Sequence, residues 1–69
     1  MTMKRFAANH VDMGRGLLHQ AVVELEEGVV TRVYEFQGEL PSTEWLPGTI
    51  SLVCEQGLLR AYYQGIRLQ

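Results

Sequence analysis

The side chains of this 69-residue chain able to act as ligands, nucleophiles or acids are few and scattered. His10 and His19 would form a metal-binding pair if a sheet brought them together. Two imidazoles with no third ligand in view match no structural zinc spacing, and no metal site is assigned. His19 falls on the apolar face of its segment, where a histidine reads as hydrogen-bonded core or interface. Cys54 is the only cysteine, so no internal disulfide can form. It has no Cys-His spacing motif, no helix start behind it and no cation close in sequence to lower its pKa, and it reads as a buried small hydrophobe. Glu24 and Glu26 share a strand face at a separation of about 7 Å, a spacing compatible with paired carboxylates. With Glu27 they crowd a turn, however, and all three read as solvated surface that discourages edge pairing. Gly14-Arg15-Gly16 lacks the following helix that makes such loops bind phosphate, and reads as a turn. No catalytic residue and no cofactor follow from these groups, and the chain reads as a non-enzyme.

Trp45, Tyr62 and Tyr63 are the candidate interface residues. Adjacent tyrosines on a strand point to opposite faces. Burying both requires both faces to be covered, which favours core filling by one and a contact role for the other, since Tyr and Trp anchor interfaces.

The elements that must position these groups read as strand after strand, separated by glycine and proline. Arg5 to Val11 is the first, ended by the turn at Gly14 and Gly16. In Leu17 to Leu25 the odd positions Leu17, His19, Ala21, Val23 and Leu25 fall on one face. Leu18, Gln20, Val22, Glu24 and Glu26 fall on the other. Glu26-Glu27-Gly28 is a tight reversal into Val29 to Phe36, rich in β-branched and aromatic residues, and the two strands form an antiparallel hairpin. Gln37 to Pro47 reads as an irregular crossing segment. Thr49 to Cys54 is a further strand, Glu55-Gln56-Gly57 a second reversal, and Leu58 to Tyr63 the return strand, with a helix over Leu58 to Arg67 as the rival reading. Gly65 interrupts it, and the last four residues continue past a bulge or fray.

Six basic and eight acidic residues leave a net charge of −2. Lys4-Arg5 is the only adjacent basic pair, which argues against a nucleic-acid partner. The N-terminus has no apolar core of signal-peptide length, and apolar runs of three or four residues are far short of a membrane span. The expected setting is soluble and cytoplasmic, where a lone thiol is at home. Residues 1–69 read as one domain. A chain this short buries only ~60% of its unfolded surface. With no disulfide or metal to help, a 46% apolar composition points to association with a second copy or a protein partner.

The order of signals also carries a resemblance. Val22-Val23-Glu24-Leu25-Glu26-Glu27-Gly28, then Val29-Val30-Thr31-Arg32-Val33, a loop, and Leu46-Pro47-Gly48-Thr49-Ile50-Ser51-Leu52 resemble the N-terminal segment of the amidohydrolase superfamily of metal-dependent hydrolases. In that family the segment belongs to a small composite β-sandwich and leads through a Pro-Gly-x-Ile-Asp turn into a catalytic barrel. The resemblance covers roughly residues 4 to 52 and implies the sandwich without the enzyme. Ser51 stands where the family has aspartate, and Val53 and Glu55 stand at the positions of its His-x-His metal pair.

The expectation is an all-β domain of about five short strands, an incomplete sandwich or curled antiparallel sheet, with a structural or protein-interaction role and a tendency to self-associate. One alternative is an accessory subunit docking on an amidohydrolase-like enzyme. Another is a small OB- or SH3-like barrel binding nucleic acid through Arg32, Tyr34, Phe36, Arg60 and Tyr62.

Overall fold

A computed structural model describes residues 3–38 and 40–69. It is all β, with six strands: β1 (Met3–Asp12), β2 (Leu17–Glu26), β3 (Val29–Glu35), β4 (Glu44–Glu55), β5 (Leu58–Tyr63) and β6 (Ile66–Arg67). Leu58 to Tyr63 is a strand and not a helix. The strands form one open sheet in the order β3-β2-β1-β4-β5-β6.

Three of the four hairpins share one turn chemistry. Glu27-Gly28, Gln56-Gly57 and Gln64-Gly65 each link antiparallel partners two residues apart, and both central residues have positive φ in every case. That is what the favoured two-residue hairpin turn requires, and it matches the right-handed twist of the strands it joins. The third of these turns corrects the reading of Gly65 as an interruption: the chain reverses there and adds β6.

The sheet is mixed, which departs from the antiparallel expectation. β4 runs parallel to β1, with Ala7 beside Trp45 and Val11 beside Ile50. β4 also begins at Glu44, inside the segment read as irregular. Pro47 lies within it, where the register shifts by one residue, so its missing N–H leaves no gap in a regular ladder. Asn9 Oδ1 accepts from the Gly48 amide at 2.8 Å, and the Tyr63 hydroxyl donates to the Pro47 carbonyl.

Curling brings β3 against β5 and encloses the core on the concave side. Phe6, Ala8, Val11, Ala21, Val23, Leu25, Ile50, Leu52 and Ala61 fill it. Arg60 Nη1 spans the seam to the Gly28 carbonyl at 2.8 Å. The Leu68 amide donates to the Ala61 carbonyl at 2.8 Å, and its side chain packs on the core. The accessible surface of 4612 Å² is close to the ~4,400 Å² that mass scaling gives a folded monomer of this size. The curl therefore covers the core residues of the concave face from within the chain.

The alternation along β1 and β2 changes phase midway. Ala8 and Val11 both point into the core, as do Ala21 and Leu18, so each strand steps by three residues there. Gln20, at φ 51°, marks the kink on β2. Leu18 thereby joins the core face and His19 leaves it, exposed, which corrects the face assigned to both.

Candidate functional site

The convex outer face carries the side chains with chemical potential, arranged in rows across the strands. The cross-strand pairs Val22 with Tyr34, Ala7 with Val22 and Ala7 with Trp45 define one row: Tyr34, Val22, Ala7, Trp45. Two large aromatics flank two small residues that are themselves buried, Val22 fully and Ala7 nearly so.

The row beside it is ionic: Arg32, Glu24, Arg5. Glu24 is only 4% exposed, so the expectation of a solvated acid is wrong for it. Arg5 Nε donates to Glu24 Oε2 at 3.2 Å and the Tyr34 hydroxyl donates to the same oxygen at 2.7 Å. Arg32 stacks 5.2 Å over the Tyr34 ring, a cation–π contact. The Tyr34 hydrogen bond is the main cause that holds the Glu24 carboxyl below the usual range, against the opposing effect of burial; both arginines add to the lowering. The same bond pushes the Tyr34 hydroxyl up, with burial assisting. A buried carboxylate so engaged is a structural ion pair, in which two donors and a nearby cation offset the loss of water.

Past the kink lies a third row: His19, His10, Thr49. The two histidines meet edge to face with ring centroids 4.9 Å apart. The His19 amide donates to Glu35 Oε2 at 3.1 Å, so a carboxylate takes the place of a strand carbonyl there. Among the described residues, no three His, Cys, Asp or Glu side chains converge as a metal site would require.

Of the three candidate interface residues, Tyr63 packs on the core and Tyr62 faces out, as adjacent strand positions must. Tyr62 is tethered within the chain: its hydroxyl donates to Glu55 Oε2 at 2.5 Å, and that bond is the main reason its pKa is raised. Trp45 is different, at 48% exposed. Cys54 is also exposed, which corrects its reading as buried, because β4 runs on past Leu52, the last buried residue of that strand.

Trp45 borders a concavity of about 400 Å³ between the outer face and the segment that follows β3. Ala7, Gln20, Phe36, Leu40 and Thr43 complete most of its lining. Gln20 and Phe36 also border an adjoining hollow of about 340 Å³ that reaches His19, Glu35 and Gln37. Sequence reading singled out Trp45 but missed this groove, whose parts lie on β1, β2, β4 and the crossing segment.

No protein-family profile, curated protein or solved structure matches the chain. Pro47-Gly48 lies inside β4, and the chain continues along β1 beyond it.

Proposed function

We propose that this chain is a non-catalytic interaction domain that binds a second copy or another protein through the outer face of its sheet around Trp45. The exposure of Trp45 carries the reading. A tryptophan that borders a hollow, beside the small side chain of Ala7 and with a polar rim at Gln20 and Thr43, has the composition of a docking patch. Face docking is favoured over strand addition because both edges of the sheet are blunted. On β3 the ladder is broken where Thr31 bulges out between the pairs Glu24 with Arg32 and Leu25 with Val30. At the other edge the Ala61 carbonyl of β5 already accepts from Leu68. The likeness to the amidohydrolase sandwich agrees with a packing role, since Ser51, Val53 and Glu55 bring no metal pair. The single exposed thiol of Cys54 fits a reducing compartment, and we place the domain in the cytoplasm.

The test is a photoreactive benzoylphenylalanine placed at Trp45, and separately at Val53, which is exposed elsewhere on β4. Each variant is irradiated in cells that express the chain, and adducts are identified by mass spectrometry. A discrete polypeptide adduct from position 45 and none from position 53 is expected. No adduct from 45, or the same adducts from both positions, overturns the proposal. Sedimentation over a range of concentrations then tells a second copy from a different partner.

A further inference from the structure

We infer that His10 and His19 together bind a divalent late transition-metal ion of the zinc, nickel or copper class, held by the two imidazoles with its remaining positions left to water.

The backbone brings the two rings together outside the core. Strict alternation would send His10 inward with Ala8 and His19 inward with Ala21, because residues two apart on a strand share a face. Both strands break step at the same place. Ala8 pairs with Ala21 and His10 with His19, so Asn9 and Gln20 stand between these pairs, and the pairing of β1 with β4 shifts register at that point too. Gln20 takes a left-handed backbone at φ 51°, which persists in a non-glycine residue only where the surroundings hold it. Here they do. Asn9 Oδ1 accepts from the Gly48 amide at 2.8 Å, and Glu35 Oε2 accepts from the His19 amide at 3.1 Å. His10 is left half-buried and His19 exposed, side by side.

Their spacing suits one shared ion. Directly opposite residues of an antiparallel pair set their Cβ atoms about 4.5–5.5 Å apart, and these ring centroids lie 4.9 Å apart. Metal–nitrogen bonds of about 2.0–2.1 Å at a tetrahedral or square angle put two ligating rings at nearly that spacing, about 4.5–5 Å between centroids. The rings meet edge to face at 74°, and turning both donor edges to one point takes rotation about χ2, a soft torsion. Among the described residues, no hydrogen bond occupies a ring nitrogen of either histidine.

The donor type sets the class of ion. Imidazole suits zinc, nickel and copper, whereas calcium and magnesium take oxygen ligands. The described residues bring no third His, Cys, Asp or Glu to the pair. The ion is therefore not caged as in a structural zinc site, and it exchanges with solvent.

The chain has no other histidine, so ring-proton NMR reports on this site alone. Zinc chloride is expected to shift the ring protons of both histidines together and saturably in the micromolar range. Calcium chloride should leave them unchanged. His10→Gln and His19→Gln should each weaken zinc binding at least about tenfold, the lower end of what losing even a supporting group costs a metal site. Thermal melts show that the variants fold, and zinc should raise the Tm of the wild type more than that of either variant. No saturable shift with zinc, a shift of one ring alone, or an equal response to calcium overturns the inference. These three outcomes are read on the wild-type chain and need no variant. Wild-type zinc affinity in either folded variant overturns it as well.

Discussion

Tyr34 and Glu24 meet on the side of the sheet that faces away from the core, hydroxyl to carboxylate at 2.7 Å. An acid buried on an outer face needs partners from neighbouring strands, and here they come from both sides: Tyr34 on β3 and Arg5 on β1. The pair links the edge strand β3 to its neighbour β2, and it also makes stability depend on pH.

Because the Glu24 pKa is lowered on folding, its contribution is present above the ordinary value of 4.5 and is lost as pH falls through the lowered one. Tyr34→Phe removes the main cause of that lowering and should cost about 1.5–3 kcal/mol near neutrality, the range for a hydrogen bond to a charged group. Urea unfolding of wild type and variant at pH 7 and at pH 3 checks this. The gap should narrow at pH 3, and a gap of the same size there would mean that Tyr34 acts through packing alone. The raised pKa of Tyr34 has the opposite sign: its contribution is present below 10 and fades as pH climbs through the folded value.

Gly28 and Gly57 occupy equivalent turn positions at φ 80° and 78°, but only Gly28 has a close neighbour. A Cβ on Gly28 would meet Arg60 Nη1 at 3.2 Å, whereas one on Gly57 would meet open space. Alanine at either site should cost about 1–2 kcal/mol for the left-handed backbone. Gly28→Ala should cost more, because it also displaces the arginine that ties β5 to the turn between β2 and β3. Thermal melts separate the two, and equal losses would show that the Arg60 contact adds nothing.

Gln56 precedes Gly57 at φ 53°, a conformation that asparagine adopts more readily than glutamine. Gln56→Asn should raise stability by about 0.5 kcal/mol or more. A lower melting temperature would mean that the side chain of Gln56 does something beyond forming the turn.

Leu68 should behave as part of the core despite its place after the last strand. Leu68→Ala is expected to cost about 1–2 kcal/mol, less than the 2–5 kcal/mol typical of a fully buried leucine such as Leu25. Denaturant titration of the two alanine variants tests the ranking. A neutral Leu68→Ala would show that the seam between β3 and β5 is closed without it.

Much of the architecture was legible along the chain. The period-two pattern from Leu17 to Leu25 and the β-branched run after Gly28 marked their strands, and two of the three Xaa-Gly reversals were readable as turns. The third was hidden because Gln64-Gly65 leaves only a two-residue strand behind it, too short for any periodicity. The kink at Gln20 was hidden too, since a positive φ on glutamine has no sequence signal, and it alone moves Leu18 inward and His19 outward. The site was less legible than the fold. Trp45 stood out by type, but Glu24 looked solvated because its partners are distant along the chain, Arg5 by 19 residues and Tyr34 by 10.

What the amino-acid order determined by itself is the set of strands and tight turns, because strand alternation and left-handed turn positions are properties of a few adjacent residues. Which strands became neighbours was decided only in three dimensions. Setting β4 parallel to β1 placed Trp45 beside Ala7, and the curl of the sheet covered the core from within, because both depend on pairing between segments that share no local signal.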